Sequence, residues 1–251
     1  MNEKLTDQKY WEKYYNKAST QRETIERICG EYDEIWKKWY GSANISKPQS
    51  MIEIGAYPGR YIAYLSNLFG IEVTGLDYNS DKDKIVETMK IMGVSNYHYI
   101  QADFFNHLPT QKYDLVFSNG FIEHFDDFNQ VMDLHIKYLN DNGSLLMIIP
   151  NKNYLRKYYG LLYDKENLSV HNLNCMHLDV FKKFAERNNL KIQYLNYQGG
   201  FAYRYHSVIS NKLKLRSAEL IIKVFKKLNP FLEKHPSKYY SSNIIAIFTK
   251  K

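Results

Sequence analysis

The sequence predicts an α/β protein built on a doubly wound, mostly parallel sheet of seven strands. Three observations predict it. From residue 51 onward, short apolar runs alternate with amphipathic stretches of helical spacing, the pattern of a parallel sheet covered on both faces. The run Met51-Ile52-Glu53-Ile54-Gly55-Ala56-Tyr57-Pro58-Gly59-Arg60-Tyr61 reads as buried strand, glycine turn and helix start, an arrangement that lets backbone approach a ligand closely. Acidic residues stand at or near the ends of the first three strands: Glu53, Asp77 and Asp103.

Residues 6–40 read as helical, with Leu5, Tyr10, Trp11, Tyr14 and Tyr15 near one face and Ile25, Ile28, Tyr32, Ile35, Trp36 and Trp39 on another. All three tryptophans lie here, and most of these aromatics are expected to pin two helices onto the core. Tyr10, Tyr14 or Tyr15 are the candidates to face a ligand pocket as part of a lid. Ser46-Lys47-Pro48-Gln49-Ser50 is the break before the central fold. It separates an N-terminal helical cap, 1–46, from a main domain, 47–251, the two forming a single structural unit.

After the glycine turn, Ile62, Leu65, Leu68 and Phe69 recur at helical spacing and stop at Gly70. Ile71 to Leu76 is a strand ending at Asp77, and Asp81 to Met92 a helix closed by Gly93. Tyr97 to Gln101 is the third strand and Tyr113 to Ser118 the fourth. Phe128, Val131, Met132, His135 and Leu139 mark a helix face, and Ser144 to Ile149 an apolar strand before Pro150. Further on come a short helix near Tyr154 to Leu162, a helix carrying Leu178, Phe181, Phe184 and Ala185, and a strand from Leu190 to Tyr197. Gly199-Gly200 opens an excursion with an amphipathic helix, Leu213 to Leu228, before a last strand, Asn243 to Phe248. Segments near 151–176 and 199–242 thus read as insertions that carry substrate-binding residues.

Composition bounds the setting. With 251 residues and 44% hydrophobic side chains the chain can bury a substantial core. Two cysteines, Cys29 and Cys175, lack metal or disulfide spacing, as in a reducing compartment. The N-terminal residues are polar and mixed in charge, and no apolar run approaches the roughly 18 residues of a membrane span. A cytoplasmic protein is expected. The net charge of +7 suits anionic partners, although a codon bias towards Lys, Asn, Ile and Tyr accounts for it equally well.

Ligands of doubly wound sheets bind beyond the carboxyl ends of the strands, where strand order reverses. An acid after the second strand is placed to accept both hydroxyls of a ribose, and Asp77 follows Gly55 at about the ~20-residue interval of such sites. A pyrophosphate is disfavoured, because bulky Tyr57 stands where a dinucleotide fold needs its middle glycine. No Walker-type G-K-[ST] is present either.

With these residues in place, the chain resembles the class I S-adenosylmethionine-dependent methyltransferases, in their small-molecule branch, whose sheet is Rossmann-like. Glu53-Ile54-Gly55-Ala56-Tyr57-Pro58-Gly59 fits a loosened form of the family's E/D-x-G-x-G-x-G, departing at Tyr57. Asp103-Phe104 matches the acid-plus-aromatic pair after strand three, and Asp114 to His124 looks like the strand-four motif ending in a Glu-His pair. The Asn142-Gly143 turn and the Tyr10-Trp11 helix are also similar. The resemblance is firm over about residues 50–150 and looser to both ends. It implies S-adenosylmethionine as cofactor, with S-adenosylhomocysteine as product. Gly55 and Ala56 would line the methionine part, Asp77 would hold the ribose and Asp103 the adenine amino group. Glu53, Gly59, Tyr78, Phe104 and Asn119 complete the expected cofactor set.

The implied reaction moves a methyl group to oxygen of a small polar or anionic acceptor, such as a sugar or phosphate intermediate of surface polysaccharide (capsule) biosynthesis. A hydroxyl acceptor benefits from a general base. His124, past the fourth strand, and His171, in the loop His171-Asn172-Leu173-Asn174-Cys175-Met176-His177, are the candidates; a capping role for the first and a solvated loop position for the second are the plainer readings. Glu123 is expected to hydrogen-bond backbone. Tyr14, Tyr203 and Arg204 are candidate acceptor contacts, with Arg204 to hold an anion. Some relatives hold a divalent metal with the Glu-His pair and an acid one turn earlier; Gly120 occupies that position here, so no metal is expected.

The basic amphipathic segment with Lys212, Lys214, Arg216, Lys223, Lys226 and Lys227 is compatible with peripheral contact with a membrane surface, with an anionic acceptor, or simply with a solvated basic face. Two other functions compete. A nucleic-acid (RNA or DNA) methyltransferase suits the charge, but Ser118-Asn119-Gly120-Phe121 is not N/D-P-P-Y/F and no Pro-Cys nucleophile occurs. A non-catalytic Rossmann-like binding module is disfavoured by intact Asp77 and Asp103.

Overall fold

In the computed structural model, which describes residues 4–15, 20–43, 45–206 and 208–250, one seven-stranded sheet carries the chain. Its strands are β1 (Ser50–Ile54), β2 (Glu72–Asp77), β3 (Tyr97–Gln101), β4 (Tyr113–Asn119), β5 (Leu139–Pro150), β6 (Leu190–Gln198) and β7 (Asn243–Lys250). They lie in the order β3-β2-β1-β4-β5-β7-β6. β1 to β5 run parallel, and β7 slots antiparallel between β5 and β6. The expected mostly parallel, doubly wound sheet is what forms.

The helices are α1 (Gln8–Tyr15), α2 (Arg22–Cys29), α3 (Asp33–Tyr40), α4 (Arg60–Phe69), α5 (Lys82–Met92), α6 (Phe128–His135), α7 (Leu155–Tyr163), α8 (Lys165–Ser169), α9 (Leu178–Arg187) and α10 (Lys212–Leu232). The stretch read as helical over 6–40 is three helices; its residues 16–19 lie outside the described residues. α10 passes the expected end at Leu228 and runs on through Pro230. A proline there removes only one late backbone bond, while Leu232 still packs on the aromatic cluster below the helix.

Strand side chains alternate between the sheet faces, and the two cores show that period. Ile52, Ile54, Val116 and Met147 pack with α6 and α9. Met51, Val73, Phe117 and Ile148 pack with α2, α3, α4 and α5. Trp36 and Trp39 of α3 are buried in the second core, Trp36 stacked on Tyr61 at 6.3 Å. Truncating such a side chain costs about 3–5 kcal/mol, so these aromatics anchor the N-terminal helices. A third, smaller aromatic cluster holds α7 and α10 together through Tyr159, Tyr163, Phe201 and Ala218. Among the described residues, no helix is long and apolar enough to cross a membrane.

Candidate functional site

Strand order reverses between β1 and β4, and a cavity of about 360 Å³ opens beyond their carboxyl ends. That volume lies in the range of small-molecule pockets. Gly55 ends β1 at the cavity with φ +76°, and a Cβ built there would lie 2.6 Å from Phe121 Cδ2. Only glycine lets the turn and the aromatic ring share this wall. Gly59, with φ +89°, forms the N-terminal cap of α4.

Asp77 ends β2 on the cavity wall. Its Oδ2 accepts the Tyr57 N–H at 3.0 Å and its Oδ1 the Asn79 N–H at 2.9 Å. The carboxylate is thereby locked in place, although burial pushes its pKa up. Tyr57, the departure from the glycine pattern, donates its hydroxyl to Asp81 Oδ2 at 2.7 Å and so ties the turn to the cap of α5. Asp103, Phe104 and Tyr78 also line the cavity. Asp103 Oδ1 accepts the Phe105 N–H at 3.1 Å, while buried Phe104 stacks on Tyr138.

Lys4, Thr6, Asp7 and Gln8 form one wall of the cavity. Leu5 donates its N–H to the His124 carbonyl at 2.8 Å, and Lys4 bridges to Phe125. The Lys4 ammonium reaches Asp103 Oδ2 at 3.3 Å and lies 5.5 Å from the Tyr78 ring centroid. Behind this strap, Asp7 caps α1 by accepting the Tyr10 N–H at 2.8 Å. α1 then turns Trp11 and Tyr15 onto the cavity. Of the expected lid residues, Tyr15 lines it and Tyr10 and Tyr14 do not; Trp11, expected to be core, does. Trp11 and Tyr15 share a face at i, i+4 spacing, which is the signal that was available. The charged side chains on the lining are Asp7, Asp77 and Asp103 against Lys4. This excess of carboxylate suits a ligand that carries positive charge.

On the β4 side, Glu123, His124 and His171 converge. One carboxylate oxygen and one nitrogen of each ring lie within 4.8 Å of one another. His124 Nδ1 donates to the Val170 carbonyl at 2.8 Å and His171 Nδ1 to the Asn167 carbonyl at 2.6 Å. A carbonyl only accepts, so each ring turns a bare Nε2 lone pair inward. Glu123 Oε2 is buried with no hydrogen-bond partner. The two bare nitrogens thus face the Glu123 carboxyl group, and His124 also lines the cavity. Burial pushes Glu123 up to about 8 and His124 down to about 4. His171 is pushed far down by burial first, then by the charge on His124 and Lys152. Lys152, buried nearby, is lowered to about 8 by burial and then by Arg156.

The cluster bears on two expectations. Glu123 does bond backbone, through its own N–H, while its Oε2 is left without a partner. Gly120 stands where an acid would complete a metal site with the Glu-His pair. The fold supplies a third group from another segment, His171, and two imidazoles with a carboxylate are donors a divalent cation can use.

Other expected site residues sit elsewhere. Glu53 does not line the cavity: the pleat turns it towards α4, where its Oε2 accepts the Ile62 N–H at 3.2 Å. Ala56 packs its methyl against β2 beside Gly75, Gly59 lies against Met89 of α5, and Asn119 is the last residue of β4, opposite Ile148. None of these four is on the cavity lining. Tyr14 is exposed and lies 6.1 Å from the His206 ring, outside the lining. Tyr203 joins the third aromatic cluster and Arg204 is exposed, its charge acting on Glu31. The cause is the turn at Gly199-Gly200: Phe201 N–H bonds Asn229 Oδ1 at 2.9 Å and draws the chain onto α10.

Comparison with known proteins bears on the fold and the family. A family model described as a methyltransferase domain matches residues 20–199. No curated protein sequence matches the chain. Among solved structures, an S-adenosylmethionine-dependent methyltransferase from Archaeoglobus fulgidus is 18% identical, with TM-score 0.57 over 97% of this chain and 100% of that one. A putative sarcosine dimethylglycine methyltransferase from Galdieria sulphuraria is 12% identical, with TM-score 0.60 over 97% of each chain. The N-methyltransferase NodS from Bradyrhizobium japonicum WM9, solved with S-adenosyl-L-homocysteine, is 12% identical, with TM-score 0.53 over 98% of this chain and 94% of that one. At these identities the likeness is one of fold.

Proposed function

The chain belongs to the methyltransferase domain family, and on that premise we propose that it moves a methyl group from S-adenosylmethionine to a hydroxyl oxygen of a small, polar, anionic acceptor. The cofactor supplies an already activated sulfonium methyl, so the protein's work is binding, orientation and exclusion of water. The carboxylates on the lining match the cofactor's positive charge. In this reading Asp77 holds the ribose and Asp103 the adenine amino group, with Tyr78 and Phe104 beside them; all four line the cavity.

The observation that carries the acceptor reading is the convergence of Glu123, His124 and His171, two bare ring nitrogens beside a carboxyl group with an orphaned oxygen. An acceptor hydroxyl at the cavity donates to a bare ring nitrogen of this cluster. Its proton passes to the cluster as the oxygen attacks, a contribution of about 10²–10⁴-fold. Glu123, raised to about 8, holds its own proton at neutral pH, so the group that takes the acceptor's proton is His124, on the cavity lining. Lys152 adds positive charge that favours an anionic acceptor. A sugar hydroxyl beside a phosphate or carboxylate has this chemistry.

A second reading, transfer to an amine nitrogen, draws on the same cluster, since an N–H also donates to a bare ring nitrogen. The structure from Bradyrhizobium japonicum is named an N-methyltransferase and that from Galdieria sulphuraria a putative sarcosine dimethylglycine methyltransferase. The test is methyl-labelled cofactor with matched panels of hydroxy acids, sugar phosphates and amines, read by product mass spectrometry. Labelling of the anionic hydroxyl compounds supports the proposal, and labelling confined to amines replaces it with the second reading. Failure of S-adenosylhomocysteine to raise the melting temperature at high excess would sink both.

A further inference from the structure

We propose that α10 docks the protein on the surface of an anionic phospholipid membrane. Its inward face, with Ala218, Ile221, Phe225 and Leu232, is used in the aromatic cluster shared with α7. A second apolar row, Leu213, Leu220, Val224, Leu228 and Phe231, faces outward, with exposures from 45% at Leu228 to 75% at Leu213. At 100° per residue these five fall on one stripe. Beside it runs a basic row at the same helical spacing: Lys212, Arg216, Lys223 and Lys227, all exposed.

The neighbouring helix repeats the pattern. α7 buries Tyr159 and Tyr163 in the same cluster yet exposes Leu155, Tyr158, Leu161 and Leu162. The Tyr163 hydroxyl lies 2.9 Å from Ser217 Oγ, and Ser217 occupies the stripe one turn after Leu213. The C-terminal end of α7 is thereby fastened to the outward side of α10.

An apolar stripe edged by lysine and arginine is complementary to one surface, the boundary between acyl chains and anionic headgroups. Two copies meeting through this stripe would bring their basic rows together, which charge repulsion opposes. A nucleic acid would pair with the lysines but leave the leucines and Phe231 in water. The membrane surface satisfies both rows at once. No catalytic residue is involved, so this docking stands or falls independently of the acceptor.

The test is co-sedimentation of the full chain with vesicles of phosphatidylcholine mixed with phosphatidylglycerol, against pure phosphatidylcholine vesicles. Binding should be at least ~10-fold stronger to the mixed vesicles and should weaken as salt is raised. Leu220→Glu with Phe231→Glu, and separately Lys223→Gln with Lys227→Gln, should each lower it ~10-fold or more. Their melting temperatures and turnover of a soluble acceptor should stay at the parent's level. The lysine pair, fully on the surface, serves if the apolar pair compromises folding. Equal or absent binding to the two vesicle types, or variants that sediment like the parent, overturns the proposal. So does a concentration-dependent dimer in light scattering that the Leu220/Phe231 variant abolishes.

Discussion

The imidazoles of His124 and His171 come from different segments of the chain and lie with ring centroids 4.6 Å apart. Each has spent its Nδ1 proton on a backbone carbonyl. Their remaining nitrogens therefore face the Glu123 carboxyl group, an arrangement that the proton held on Glu123, a cation or a donor from a ligand stabilises.

Replacing His171 separates turnover from cofactor binding. His171 is in the cluster but off the cavity lining. His171→Asn should lower kcat by about 10²-fold or more and leave the dissociation constant of S-adenosylhomocysteine within ~3-fold. Isothermal titration beside steady-state kinetics reads both. An unchanged kcat removes His171 from the reaction.

The proton on Glu123 makes stability depend on pH. Its pKa rises from the ordinary 4.5 to about 8 in the folded chain, through burial. The folded state therefore keeps a proton that the unfolded state has lost, and stability falls as pH rises through this window. His124, lowered from 6.5 to about 4, acts in the opposite sense, but only below about pH 6.5. Between pH 6.5 and 8 the Glu123 effect stands alone of the two, with a slope of at most about 1.4 kcal/mol per pH unit. Glu123→Gln should flatten urea-derived stability across that interval relative to the parent. Parallel profiles would show that Glu123 ionises normally.

Asp77 tests the cofactor site. Asp77→Asn keeps the shape but loses the charge and must turn an amide group towards one of the two backbone N–H donors at Tyr57 and Asn79. A lost hydrogen bond to a charged group is worth about 1.5–3 kcal/mol, so binding of S-adenosylmethionine should weaken by about 10–150-fold. Affinity within ~2-fold of the parent would place the ribose elsewhere.

Gly55→Ala tests the wall of the cavity. The new Cβ would meet Phe121 Cδ2 at 2.6 Å on a backbone with φ +76°. Strain of this kind costs about 1–3 kcal/mol, equivalent to a melting-temperature fall of roughly 2–12 °C for a chain of this size. Adding Phe121→Leu should recover part of the loss by relieving the contact while leaving the backbone strain. No recovery would assign the whole cost to φ.

The sequence by itself determined what local periodicity and local turn chemistry encode. Strand runs such as Met51 to Ile54 and Tyr97 to Gln101, the glycine turn, and the acids at Asp77 and Asp103 depend on neighbours a few residues away. Their place in a doubly wound sheet then follows from general rules of packing and handedness. Tertiary structure decided what depends on residues brought together from afar. His171 meets His124 because the loop before α9 folds back over the end of β4, with Asn172 N–H on the Glu123 carbonyl at 2.7 Å. Arg204 and Tyr203 leave the site because Asn229 on α10 captures the chain after Gly200. Glu53 turns from the cavity because the pleat aims it at α4. Periodicity says that a side chain is on a strand or helix, but only the packing of distant segments decides which groups share a cavity and which titratable groups meet.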